Sequence, residues 1–120
     1  MGKKTLVLGA SLKPSRYSNI AIQRLRKYDQ EVVAIGLREG SVGDVTIDTN
    51  LMPFHDVHTV TLYLNPQRQK SYYDYVLSLS PERVIFNPGT YNPEFQNILK
   101  QNQIEFIDAC TLVMLSTGQY

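Results

Sequence analysis

Ser11, Lys13, Arg16 and Ser18 crowd into one short stretch behind the apolar run Thr5-Leu6-Val7-Leu8-Gly9-Ala10. Hydroxyls hydrogen-bond phosphate oxygens and cations neutralise them, so this grouping suits a small anion. The surrounding pattern sharpens that reading. An apolar strand ends at Gly9, a basic loop follows, and an amphipathic stretch begins at Ser18-Asn19. The first turn of a helix presents unpaired backbone N–H groups and about half a positive charge, which favours an anion placed there. The layout therefore points to a ligand of the nucleotide type.

The charge balance agrees. The chain has 12 basic and 11 acidic residues, a net charge of +1, and so lacks the broad positive footprint that nucleic acid requires. Its basic residues are concentrated at the start, with Lys3, Lys4, Lys13, Arg16, Arg24, Arg26 and Lys27 all preceding the first acid, Asp29. A locally positive region on a neutral remainder suits a small anionic ligand better than a polyanion.

The elements that must position these residues alternate along the chain. Strands are predicted over Thr5–Leu8, Glu31–Leu37, Thr59–Leu64, Arg83–Phe86 and Ile104–Ile107, with a minor edge strand at Val45–Ile47. Helices are predicted over Ser18–Asp29 with Ser18 as N-cap, from Asn65-Pro66 to about Leu79, from Asn92-Pro93 to about Asn102, and from Thr111 through Leu115. Asn87-Pro88-Gly89-Thr90 reads as a tight turn. Strand–helix alternation with short connections implies an α/β fold, a Rossmann-like three-layer α/β/α arrangement around a mostly parallel five-stranded sheet. At 120 residues the expectation is a single domain, 1–120. With 42% apolar residues and no apolar run near the roughly 18 that cross a bilayer, neither a membrane span nor a signal peptide is expected. One cysteine excludes an internal disulfide, and the expected location is the cytoplasm.

Sheets of this kind hold ligands beyond the carboxyl ends of their strands, near the point where the strand order reverses. The dinucleotide fingerprint G-x-G-x-x-G fits poorly, because only Gly9 precedes Pro14 and Ser15. At the end of the second strand Arg38 stands where an NAD site wants an acid, which favours a phosphate on the ribose, as in NADP or coenzyme A, while Glu39 keeps the point open. The P-loop pattern is missing.

No catalytic or metal-binding set is expected. His55 and His58 precede the third main strand with no third ligand in sight, and Cys110 reads as a small buried side chain, although a helix start can also activate a thiol. Tyr72, Tyr73 and Tyr75 cannot all face inward from one continuous helix, so at least one is expected to be exposed or to make a subunit contact, which leaves a homodimer open.

Three separated strings carry a resemblance: Gly9-Ala10-Ser11 with Arg16 to Asn19, Asn87-Pro88-Gly89-Thr90 with Asn92-Pro93-Glu94, and Ala109-Cys110-Thr111-Leu112-Val113-Met114-Leu115. In this order, over essentially the whole chain, they resemble the small single-domain CoA-binding proteins, which are similar to the N-terminal CoA-binding domain of the succinyl-CoA synthetase alpha subunit. The resemblance implies a Rossmann-like fold and coenzyme A, or an acyl-CoA, as ligand. In that synthetase family the phosphorylated histidine lies in a second domain, so a non-catalytic carrier, sensor or regulatory role is implied here. The alternatives are an NADP-dependent oxidoreductase-type domain and a protein-interaction module that has lost nucleotide binding. Resemblance and chemistry together give a candidate set. Gly9, Ala10, Ser11, Lys13, Arg16, Tyr17 and Ser18 form the first loop, its polar members facing the pyrophosphate or ribose phosphate. Arg38 would meet the adenosine end, Tyr63, Asn65 and Pro66 the adenine side, and Asn87, Pro88 and Gly89 the pantetheine arm.

Overall fold

Near-continuous runs of β-branched and apolar residues make strands whose two faces both need cover, and the chain supplies helices to both. The computed structural model describes residues 2–120. Strands β1 (Thr5–Ala10), β2 (Val32–Gly36), β3 (Gly40–Val42), β4 (Val45–Asp48), β5 (Thr59–Leu62), β6 (Arg83–Phe86) and β7 (Glu105–Asp108) form one sheet in the order β3-β4-β2-β1-β5-β6-β7. Only the β3–β4 pair is antiparallel; all other neighbours run parallel. The fold is the expected Rossmann-like α/β class, with seven strands in place of five. The additional short strand Gly40–Val42 forms a hairpin with the expected edge strand, its two-residue connection turning on Gly43 at φ +60°.

Helices α1 (Tyr17–Lys27) and α5 (Thr111–Ser116) lie on one face, where Ile22, Leu25 and Leu115 pack with Val7, Ala34 and Ile47. The short α2 (Pro66–Gln69), then α3 (Tyr73–Leu79) and α4 (Pro93–Gln101), follow β5 and β6. Tyr75, Val76, Phe95 and Leu99 cover the opposite face against Leu6, Leu8, Leu62 and Phe86. The segment expected as one helix from Pro66 to Leu79 is broken by a 3-10 turn at Lys70–Tyr72. Tyr72, Tyr73 and Tyr75 all pack against the core, Tyr73 stacking on Phe95 at 4.4 Å between ring centres. None of the three is exposed, so the exposed tyrosine expected as one alternative is not found.

The β4-to-β5 connection carries no helix. Phe54 and Val57 pack on the sheet in its place, and the Tyr75 hydroxyl donates to the Met52 carbonyl. The chain runs outward from β1 to β2 and β4, then returns across β1 to β5. The strand order reverses between β1 and β5, the place where sheets of this kind hold ligands beyond their carboxyl ends.

Candidate functional site

Two glycines stand at the carboxyl ends of β1 and β2. Gly9 has φ +96°, which an L side chain rarely adopts, and the β1–β2 pairing slips between Leu8 and Ala10 at this point. Opposite, a Cβ on Gly36 would lie 2.2 Å from the Ala10 carbonyl oxygen, so only glycine permits the two strand ends to approach. The chain then turns through Lys13-Pro14-Ser15, closed by the Arg16 N–H on the Lys13 carbonyl at 3.1 Å. Ser11 Oγ accepts the Lys13 N–H at 3.1 Å, while the buried Asn19 donates from Nδ2 to the Ser11 carbonyl at 2.9 Å. Asn19 is itself held by Gln23.

This turn starts α1 earlier than the sequence suggested. The N-cap is Arg16, in extended backbone conformation, and Ser18 is buried within the first turn. No side chain caps the helix and no acid stands in its first turn. Lys13, Arg16 and Tyr17 are exposed around it, and among the described residues neither Lys13 nor Arg16 has an acidic partner within salt-bridge distance. Free cations at an uncapped helix start are what an anion needs. Arg38 is exposed just past the carboxyl end of β2, on the same edge of the sheet.

The ends of β5 and β6 are built on amides. The Tyr63 N–H donates to the Leu8 carbonyl at 2.9 Å and ties the end of β5 to β1. The Tyr63 side chain is half-buried against the α1/α5 layer, and burial pushes its hydroxyl up to about 12 beside Thr61 and Thr111. Asn65 Oδ1 accepts the Arg68 N–H and caps α2, with Pro66 at the first helical position. Asn87 is buried, and its side chain is fully engaged within the protein. Nδ2 donates to Thr61 Oγ1 at 2.7 Å and the Leu62 carbonyl at 2.8 Å, while Oδ1 accepts the Thr111 N–H at 2.9 Å. Its amide therefore shapes the site by holding β5, β6 and α5 together, leaving the exposed Pro88 and Gly89 to face outward. Gly89 has φ +88° in the expected turn, closed by the Thr90 N–H on the Asn87 carbonyl at 3.0 Å.

Sequence reasoning missed Gln69. Fully buried, it donates from Nε2 to the carbonyls of Leu64 and Thr90, both at 2.8 Å, and accepts from Asn92 Nδ2 at 2.9 Å. In sequence Gln69 is one polar residue within the expected Pro66–Leu79 helix, and nothing local marks it as buried.

Past the turn, a cleft of about 370 Å³ opens at the carboxyl ends of β6 and β7, its wall including Phe86, Pro88, Tyr91, Asp108 and the half-buried Cys110. Cys110 is the N-cap of α5 and its side chain makes no capping bond. A more open hollow of about 530 Å³ lies between Lys100 and Phe106, where the end of α4 meets the start of β7, away from every candidate residue. His58 is also remote, at the amino ends of β1 and β5, with its N–H on the Lys4 carbonyl and its Nε2 3.1 Å from Glu82. No group of three or more metal-ligating side chains occurs among the described residues.

The chain matches a family described as the CoA binding domain over residues 3–116. It belongs to that family. A solved structure of an uncharacterized protein is 48% identical, with a TM-score of 0.97, covering 100% of this chain and 99% of its own. A protein from Thermus thermophilus is similar in fold, at 21% identity and a TM-score of 0.87, over 99% of this chain and 91% of its own. The fold also recurs in a dinucleotide-forming acetyl-coenzyme A synthetase from Ca. Korarchaeum cryptofilum, at 13% identity and a TM-score of 0.72. That match covers 88% of this chain but only 25% of the synthetase. No curated protein matches.

Proposed function

We propose that this chain is a single-domain protein, 1–120, that binds coenzyme A or an acyl-CoA and catalyses no reaction itself, acting as a carrier, sensor or regulatory partner. The observation that carries the reading is the pairing of a CoA-binding family match along nearly the whole chain with an uncapped α1 start flanked by Lys13 and Arg16, which have no acidic partner among the described residues. The residues fit the group. Backbone N–H groups of α1, with Ser11, Lys13 and Arg16, would take the pyrophosphate. Arg38 would neutralise the ribose phosphate. The pantetheine arm would pass over Pro88 and Gly89 into the cleft beside Cys110, with Tyr63, Asn65 and Pro66 on the adenine side. When bound, coenzyme A supplies a thiol able to carry an acyl group, and the protein's share is to hold and orient it. In this reading the protein is cytoplasmic.

Arg38 favours one competing reading, an NADP site, because it stands where a ribose phosphate would lie in either cofactor. Isothermal titration with CoA, dephospho-CoA, acetyl-CoA and NADP separates the two. CoA binding in the micromolar range, weakened by loss of the ribose phosphate and by Arg16→Ala, supports the coenzyme A reading. Preference for NADP over CoA in competition supports the other, and silence with all four turns attention to protein partners.

A further inference from the structure

We propose that Gln69 is the positioning residue that fixes the chain after β5 against the turn after β6, the two segments that carry the adenine-side and pantetheine-side candidates, a role that rests on the coenzyme A reading of the site. The two segments carry different parts of the candidate site: Asn65 and Pro66 on one side, Pro88 and Gly89 on the other. No strand pairing joins them beyond Leu62 and Phe86. The Asn87 amide ties the strand ends through Thr61 and Leu62, and farther out the Gln69 amide joins the two segments, its two N–H groups reaching the Leu64 and Thr90 carbonyls, both at 2.8 Å.

The clamp is over-determined on both sides. Thr90 Oγ1 donates to the Asn87 carbonyl at 2.7 Å, which fixes the turn that Gln69 grips. Asn92, which donates to Gln69 Oε1, also caps α4 by accepting the Phe95 N–H and donates to the Tyr73 hydroxyl at 2.9 Å. Every hydrogen-bonding position of the Gln69 amide is used except one lone pair of Oε1. A buried amide is retained only where its partners are met, and here the partners are the backbones of two ligand-facing loops. An apolar residue of similar size would fill the space but leave both carbonyls unpaired and free to separate.

Ionisable groups reach Gln69 only indirectly. Tyr73 is joined through Asn92, and Glu94 accepts from the Tyr73 hydroxyl at 3.0 Å; Arg68, its neighbour on α2, and Asp74 on α3 are exposed. Wild-type protein titrated in parallel therefore accounts for Glu94.

Gln69→Glu turns the clamp into a titratable one. When ionised, its carboxylate faces two carbonyl oxygens with nothing to donate; when protonated it regains one donor at nearly the same shape. CoA titrations at about pH 8 and about pH 5 are expected to show Q69E weaker than wild type by about tenfold or more at the higher pH, with the deficit shrinking to about threefold at the lower. Gln69→Met, which has no charge, is expected to weaken CoA by a similar factor at both. Urea unfolding of each variant gives the folded fraction, so affinity is compared among folded molecules, and if Q69E does not fold at the higher pH, Q69M and the low-pH titration decide. Variants that lose stability yet bind CoA within about twofold of wild type at both pH values would overturn the clamp and leave Gln69 a structural residue. Wild-type protein that binds no CoA would instead remove the coenzyme A reading, and this role with it.

Discussion

Asn87 Oδ1 accepts the backbone N–H of Thr111 at 2.9 Å, so one side chain at the end of β6 fixes the first residue of α5. The same amide holds Thr61 and the Leu62 carbonyl, and Thr61 Oγ1 in turn meets Thr111 Oγ1 at 2.8 Å. The arrangement is closed and buried, which makes removal costly because each partner is left without water or protein. Asn87→Ala is expected to lower stability by about 2–4 kcal/mol, read by urea denaturation. A loss under about 1 kcal/mol would mean that the network relaxes around the gap.

Two glycines of the site make opposite predictions. At Gly36 an added methyl meets the Ala10 carbonyl at 2.2 Å and Ile47 Cγ2 at 3.1 Å, and the first of these is backbone in the sheet's centre. Gly36→Ala is expected to cost about 3 kcal/mol or more. At Gly89 a methyl meets nothing within 4 Å, and only the φ of +88° resists it. Gly89→Ala is therefore expected to cost only about 1–2 kcal/mol. Equal losses in thermal melts of the two variants would contradict the close approach at Gly36.

The parts of the fold that sequence made legible are those determined locally. Asn92-Pro93 starts α4 where expected because the Asn92 cap and the proline act within one turn, and Asn87-Pro88-Gly89-Thr90 closes for the same reason. The Arg83–Phe86 strand also has its expected limits. Illegible parts depend on distant partners. The Pro66–Leu79 stretch has a helical pattern throughout, but Gln69 is drawn to carbonyls at Leu64 and Thr90, and the helix breaks directly after it. The three-residue strand at Gly40–Val42 has too little pattern to announce itself and exists through its pairing with β4. Likewise Ser18 looked like a cap because its type is right, whereas the turn at Lys13–Arg16 begins the helix before it. Of the candidate site, the positions at strand ends were legible; the commitment of the Asn87 amide to the protein's interior was not.

At the opposite end of the sheet, Arg83 Nη2 is buried with no hydrogen-bond partner, and the guanidinium carbon lies 4.5 Å from the centre of the Tyr120 ring. The ring face stands in for an acceptor. Arg83 Nε meets Thr59 Oγ1 at 2.8 Å, and the Tyr120 hydroxyl pairs with Thr5. Tyr120→Phe keeps the ring and is expected to cost about 1 kcal/mol, whereas Tyr120→Ala strands the guanidinium and is expected to cost about 2–4 kcal/mol. Equal costs for the two would show that the hydroxyl, not the ring, holds Arg83.

His58 makes the stability depend on pH. Burial holds its imidazole below the ordinary value, aided by Arg83 and Lys3 and opposed by Glu82. The unfolded chain therefore takes up this proton more readily than the folded one. The His58 contribution is present above about pH 6.5 and is lost as the pH falls from there through the lower folded value. Glu82→Gln removes the opposing charge, so it is expected to lower the His58 midpoint further in an NMR titration. A midpoint at or above about 6.5 in the wild-type protein would contradict the burial argument.

Cys110 tests whether the thiol in the cleft wall matters to ligand affinity. Its place at the N-cap of α5 invites a reactive reading, but two observations argue for a passive one. Its side chain makes no capping bond, and the start of α5 is held by Asn87 and Thr61 through Thr111, so the helix does not depend on the sulfur for its position. Removing Sγ deletes one polarisable atom from the wall of a cleft that Phe86, Pro88 and Tyr91 also line. Cys110→Ala is accordingly expected to leave CoA affinity within about threefold of wild type by isothermal titration under reducing conditions. A loss of about tenfold or more, about 1.4 kcal/mol, would place the thiol in contact with the bound cofactor.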